Sequence, residues 1–135
     1  MRTVLIPVET GSHESIVDVT RQAADFAGEY GGDGLLHVFV PHATVGLAII
    51  ETGSGTEADL LAVLDEVLPR EDRWVHRHGS RGHGRSHVLP AWLPPYATIP
   101  VLEGRLALGT WQSICLVDLN VDNSSRHLRL SIIEG

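Results

Sequence analysis

Four of the chain's eight histidines, His76, His78, His83 and His87, crowd into residues 76–87. Neutral imidazole is the commonest metal ligand, and two histidines two apart on an extended segment face the same way. The other two, carried on a glycine-containing loop, have the reach to converge on them. No HExxH or CxxC spacing accompanies the four, so the local pattern admits both a metal site and a solvated polar loop. Arg77, Arg81 and Arg85 are interleaved with the histidines. Such a positive cluster on an acidic chain suits a phosphate or another anionic group, because guanidinium forks match its oxygens. A cation and arginines side by side would serve a phosphorylated small molecule.

Other residues carry weaker signals. Glu51 ends an apolar strand, where a carboxylate is costly unless paired or functional. It reads as a general base, as a partner holding an imidazole by its other N–H, or as a surface strand end. Asp59 lies early in a helix, where it also complements the helix dipole. Trp111 and Gln112 open an apolar strand and either line a pocket or pack. Arg126 follows a turn and reads as a phosphate holder or as one half of an intersubunit ion pair.

The elements that must position these groups follow from periodicity and breakers. Residues 2–9 and 14–17 read as strands, with Thr10-Gly11-Ser12 as the turn between them. From residue 18 the period becomes helical through Val19, Ala23, Phe26, Ala27 and Tyr30, and Gly31-Gly32 supplies the stop. Segments 35–40 and 44–51 read as strands that pair with each other. A second helix starts at residues 53–56 and ends at Pro69, with Leu60, Leu61, Val63, Leu64, Val67 and Leu68 as a broad buried face. Residues 70–95 form the least regular stretch, too long for an ordinary connection. Strands at 98–102, 111–119 and 128–133 complete the chain. This order, ββαββαβββ, predicts an α+β fold, with antiparallel sheets in a sandwich-like core and two main helices.

The 135 residues fit one domain, and 43% hydrophobic content supplies a core without disulfide or metal. Ten basic residues against 17 acidic ones give a net charge of -7. That balance argues against general binding to nucleic acid or to anionic membranes. Cys115 stands alone in an apolar run, which fits a reducing compartment. No stretch approaches the roughly 20 apolar residues that span a bilayer. The expectation is a cytoplasmic globular protein.

Several motifs together resemble the YjbQ-like family, also described as secondary thiamine-phosphate synthases. Pro41-His42-Ala43-Thr44-Val45-Gly46-Leu47 with Glu51 is similar to its HTTxxL…E element, and Asp59-Leu60 to an Asp-Leu on the following helix. Trp74-Val75-His76 and Ser86-His87-Val88 resemble two of its histidine-bearing elements. Gly104-Arg105-Leu106 with Leu108-Gly109-Thr110-Trp111-Gln112 matches its GrLxLGTWQ block almost letter for letter, and Arg126 fits its ending. The resemblance covers essentially the whole chain in order.

It implies a homotrimer with a site between subunits, lined by histidines, where a metal ion and an anion bind. Carried over residue by residue, the metal ligands would be His42, His76 and His87, with His78 as the alternative to His76. Three imidazoles and a vacant position suit a catalytic rather than a structural zinc site. Catalytic roles fall to Glu51, Asp59 and Gln112, and anion binding to Arg85, Arg126, Thr44 and Trp111. The cofactor would be a divalent metal, zinc rather than magnesium, because diphosphate chemistry with Mg²⁺ draws on carboxylates whereas histidines favour transition metals. The implied activity is thiamine-phosphate synthesis as a side reaction. The alternatives are a metal-dependent hydrolase and a trimeric binder without catalysis. The chain departs from the pattern with Ala43 for Thr, His83 for Asn, Arg85 for Asp or His, Leu89 for Lys and Pro94 for Gly.

Overall fold

The computed structural model describes residues 1–71 and 73–135. Strand β1 spans Arg2–Glu9 and β2 spans Ser15–Asp18. Helix α1, Thr20–Tyr30, begins where the Asp18 carboxylate accepts the Thr20 N–H at 2.9 Å. It stops at Gly31, whose φ of 75° is a left-handed conformation that glycine adopts without a side-chain clash. Its Ala23, Phe26 and Ala27 face inward. Strands β3 (Gly34–Phe39) and β4 (Val45–Ile50) precede α2 (Thr56–Val67). Two single-turn helices, α3 (His83–Ser86) and α4 (Leu89–Trp92), interrupt the irregular stretch. Strands β5 (Tyr96–Leu102), β6 (Arg105–Leu106), β7 (Ser113–Asp118) and β8 (Ser125–Glu134) follow.

The strands form two antiparallel sheets, one in the order β1-β8-β3-β5-β6 and one in the order β2-β7-β4. The main core lies between them. Leu36, Val38, Leu128, Leu130 and Ile132 of the larger sheet meet Val45, Leu47, Ile114 and Leu116 of the smaller, and the inner face of α1 packs into the same cluster. A second cluster covers the other side of the small sheet, where Leu64 and Leu68 at α2 meet Val117, Leu119 and Leu89. Strand β7 is therefore buried on both faces, and it reads as an unbroken apolar run. Strand β8, covered on one face along its first half, alternates instead.

The α+β class and the antiparallel sheets are as the sequence predicts, but two local expectations are overturned. Strands β3 and β4 do not pair. β3 lies between β5 and β8, and β4 lies against β7 in the other sheet. Pro41 ends the β3 ladder, and no tight-turn sequence follows to fold the chain back, so it crosses between sheets. Backbone bonds from Val40 to Pro95 (2.8 Å) and from Leu47 to Pro94 (3.0 Å) hold the crossing. The broad face of α2 is also only half used. Leu64 and Leu68 are buried, whereas Val63 and Val67 are 52% and 39% exposed. A three-stranded sheet is too narrow to cover more of the helix. Among the described residues no helix is long and apolar enough to cross a membrane.

Candidate metal centre

Helix α3 brings His83 and His87 onto one side, because residues four apart face the same way on a helical turn. The extended segment before it lays His76 across them. Gly84 makes that approach possible: a Cβ there would stand 2.7 Å from the Trp74 Cβ and would strike the His76 carbonyl oxygen. The Trp74 indole N–H, donating to the Pro69 carbonyl at 2.9 Å, anchors the start of the segment.

The rings of His76 and His87 stack with centroids 3.8 Å apart, and those of His83 and His87 lie 4.9 Å apart. One nitrogen from each of His76, His83 and His87 falls within 4.8 Å of the other two. The Nε2 atoms of His83 and His87 face each other at 3.1 Å. Two imidazoles at ordinary zinc–nitrogen distances and tetrahedral angles would hold their nitrogens about 3.3 Å apart, so this pair already has the needed spacing. The Nε2 of His76 is buried without any hydrogen-bond partner. A buried polar atom left unsatisfied is costly, and a cation there would satisfy it. The donor set fits a borderline transition metal. His78 lies beside the group, its ring 4.2 Å from that of His76 and 4.6 Å from that of His83.

Asp122 stands behind His83. Its Oδ2 accepts the His83 Nδ1–H at 2.9 Å, and Ser80 donates to the same carboxylate through both its N–H and its hydroxyl. Those Ser80 bonds, and then His83, hold the Asp122 carboxyl below its ordinary value. The arrangement places the His83 proton on Nδ1 and leaves Nε2 as a donor of electrons, the role of an outer carboxylate at metal-bound histidines. Were zinc held by this triad, Asp122→Asn would weaken its binding about 10–100-fold. Competition against a chromophoric chelator measures this, with unaltered far-UV circular dichroism as the control for folding.

Burial lowers His76 and His87 below 6.5, and the neighbouring imidazoles add to the effect. His42 is lowered as well, by burial first and then by the Arg126 charge. For these groups the unfolded chain takes up protons at a higher pH than the folded one. Stability of the metal-free protein should hold above pH 6.5 and fall as the pH drops from there through the lowered values. Denaturant midpoints on either side of 6.5 check this, and a flat profile would contradict it.

The remaining sequence candidates are distributed through the fold. His42 is not part of the triad within one chain. It lies beside His127, where its Nε2 accepts the His127 backbone N–H at 2.9 Å. His83 takes the third place instead. The signal for it was the four-residue spacing to His87, which is hidden when residues 76–87 are read as extended and loop. Arg85 points inward and is fully buried. Its guanidinium is held by Asp65 at 2.6 Å, the Leu68 carbonyl at 2.9 Å and Glu14 at 2.5 Å, so an anion would have to displace two carboxylates.

Arg126 is likewise buried, with its Nε 2.7 Å from Asp118 and its NH2 donating to Thr44 at 3.2 Å. The Thr10 hydroxyl and the Asn120 N–H join this network by donating to the same Asp118 carboxylate, and the Arg126–Asp118 pair ties β7 to β8. Thr44 is thus one of its members. Asn120 also accepts the Asp122 N–H at 2.8 Å, so the network reaches the triad. Glu51, Trp111 and Gln112 lie at the opposite end of the small sheet. Ile50 pairs with Ser113 there, whereas Val45 pairs with Asp118 at the near end. Five residues of strand separate the two ends, about 17 Å. All three are exposed, Trp111 by 73%, and Asp59 is exposed on α2.

The fold and the imidazole cluster define an antiparallel α+β sandwich with a candidate metal centre. The family model described as UPF0047 protein YjbQ-like matches residues 5–135, and the chain belongs to that family. It is 53% identical over 135 residues to the UPF0047 protein Rv2556c of Mycobacterium tuberculosis, covering all of both chains. A UPF0047 protein of Methanothermobacter thermautotrophicus is 28% identical, with 94% of this chain and 88% of that protein aligned. Among solved structures, a YbjQ-like protein of unknown function from Sulfolobus solfataricus P2 superposes with a TM-score of 0.91 at 29% identity, covering 99% of this chain and 97% of that one. The hypothetical protein APE1520 from Aeropyrum pernix K1 gives 0.89 at 29% identity over the full length of both.

Proposed function

We propose that the chain binds a divalent transition metal, zinc foremost, through His76, His83 and His87, and that the loaded site acts on a small phosphorylated molecule. The observation that carries this reading is the facing pair of Nε2 atoms 3.1 Å apart, with the buried, unpartnered Nε2 of His76 beside them. A bound zinc ion would supply Lewis acidity toward a phosphate or carbonyl oxygen. The chain's own residues hold the site: Asp122 orients His83, Gly84 admits the His76 segment, and Arg85 anchors the helix between the two histidines. Hydrolysis suits three imidazoles better than diphosphate displacement does, since Mg²⁺, the usual ion for that chemistry, prefers oxygen ligands. The thiamine-phosphate synthesis implied by the resemblance is accordingly placed as a side activity.

A panel of phosphomonoesters, assayed with zinc-loaded and chelator-treated protein, tests the reading. Turnover that needs the metal and is lost in His87→Ala supports it. No turnover on any substrate, together with no rescue of a thiamine-requiring host, removes the enzyme and leaves a binding protein.

Glu51, Trp111 and Gln112 reach a triad only if a neighbouring copy supplies them, and the proposal therefore includes the homotrimer that the resemblance implies. Light scattering coupled to gel filtration should give three times 14.7 kDa. A monomer mass would leave those three residues without a part in the site.

A further inference from the structure

Of the three arginines interleaved with the histidines, Arg85 is buried in ion pairs, while Arg77 and Arg81 stay on the outside. Together with Arg70 they line a cleft of about 240 Å³ that has His76 in its wall and the turn from Gly79 to Gly82 along one side. Three of the ten basic residues in a chain of net charge -7 thus converge on a hollow that adjoins the triad.

We propose that this cleft is the anion subsite of the metal centre, holding the phosphate of a phosphomonoester while His76 keeps the cation beside it. The inference rests on the metal reading above and adds where the charged end of the substrate sits. Arg81 supplies the open charge, for it is exposed and has no hydrogen-bond or ion-pair partner among the described residues. Arg77 is steadied by its Nε, which donates to the Trp74 carbonyl at 2.9 Å. Arg70 is half exposed and braced by Glu14 at 2.7 Å. Glu71 also lines the cleft, but its carboxylate is taken by Arg73 at 2.6 Å.

Size points the same way. Whole-ligand pockets start at about 300 Å³, so a smaller cleft suits one charged group with the rest of the substrate outside. The guanidinium groups of Arg85 and Arg126 are buried against carboxylates; the Arg85 Nε lacks a partner but is itself buried, so an anion could reach either group only by displacing those carboxylates.

Calorimetric titration of the full-length zinc-loaded chain with inorganic phosphate tests this, beside Arg81→Gln, Arg77→Gln and the metal-stripped parent. The expected result is phosphate binding that weakens at least about 10-fold in Arg81→Gln, the order of one charge-assisted contact, with zinc content unchanged. Equal phosphate affinity in the parent and both arginine variants overturns the subsite, as does a zinc-loaded parent that binds no phosphate. A parent that takes up no zinc, yet binds phosphate in an Arg81-dependent way, keeps the subsite and sinks the metal reading instead.

Discussion

Replacing His83 with asparagine should lower zinc affinity by more than about 100-fold while leaving the fold intact. The loss exceeds the 10–100-fold effect of an outer partner because a direct ligand is removed. An amide can still bond to Asp122, but it offers no imidazole nitrogen at the position 3.1 Å from the His87 Nε2. The substitution is also a sharp discriminator, since the YjbQ-like pattern has asparagine at this place. If His83 is a ligand particular to this chain, His83→Asn acts like His87→Ala. His42→Ala, altering a ring held at the His127 backbone, should then leave affinity within about twofold for a single chain's site, well below the effect of losing any ligand or its carboxylate. Chelator competition on the three variants measures all of this. Full affinity in His83→Asn with loss in His42→Ala would return the site to the set His42, His76 and His87.

Arg85→Met is expected to cost about 3 kcal/mol of stability, the lower end of the range for breaking a buried ion pair. The guanidinium is wholly buried and bridges three separate segments: Glu14 before β2, Asp65 and the Leu68 carbonyl at α2, and its own α3. Methionine fills much of the volume but removes the counter-charge that Glu14 and Asp65 share, leaving them only Arg70, 2.7 Å from Glu14 and 3.9 Å from Asp65. Asp65 is half exposed and recovers water, whereas Glu14 is mostly covered and keeps only its pair with Arg70. That asymmetry sets the estimate at the lower end. The thermal midpoint should fall by about 10 °C for a domain of this size, with zinc affinity reduced as well, because Arg85 sits between His83 and His87. A shift of less than 2 °C, on the order of a surface substitution, would show that the buried pair contributes little net stability.

Local signals in the chain proved far more legible than long-range ones. Strand β1 and the α1 stop at Gly31 follow from neighbouring residues alone, and both lie where periodicity and breakers put them. The partner of β3 does not follow from its own residues, since β8 comes some ninety positions later and only the folded sheet selects it. The two-residue strand β6 carries no periodicity to detect. At the site, the four-residue rise from His83 to His87 was readable, but their union with His76 depends on the missing Cβ of Gly84. The arginines show the same limit. Arg77, Arg81 and Arg85 look alike in sequence, and only burial separates the structural one from the two that face solvent. Glu14 and Asp122 carry no local signal of their part, because each acts through a partner far away in the chain.

The most direct test of the central claim is the zinc content of the purified chain beside His76→Ala, His83→Ala and His87→Ala, read by elemental analysis after dialysis against metal-free buffer. The account predicts close to one zinc per chain in the parent and loss in each of the three variants. A parent that holds no zinc and takes up none on titration, or three variants that retain it, would contradict the assignment of His76, His83 and His87 as a metal centre.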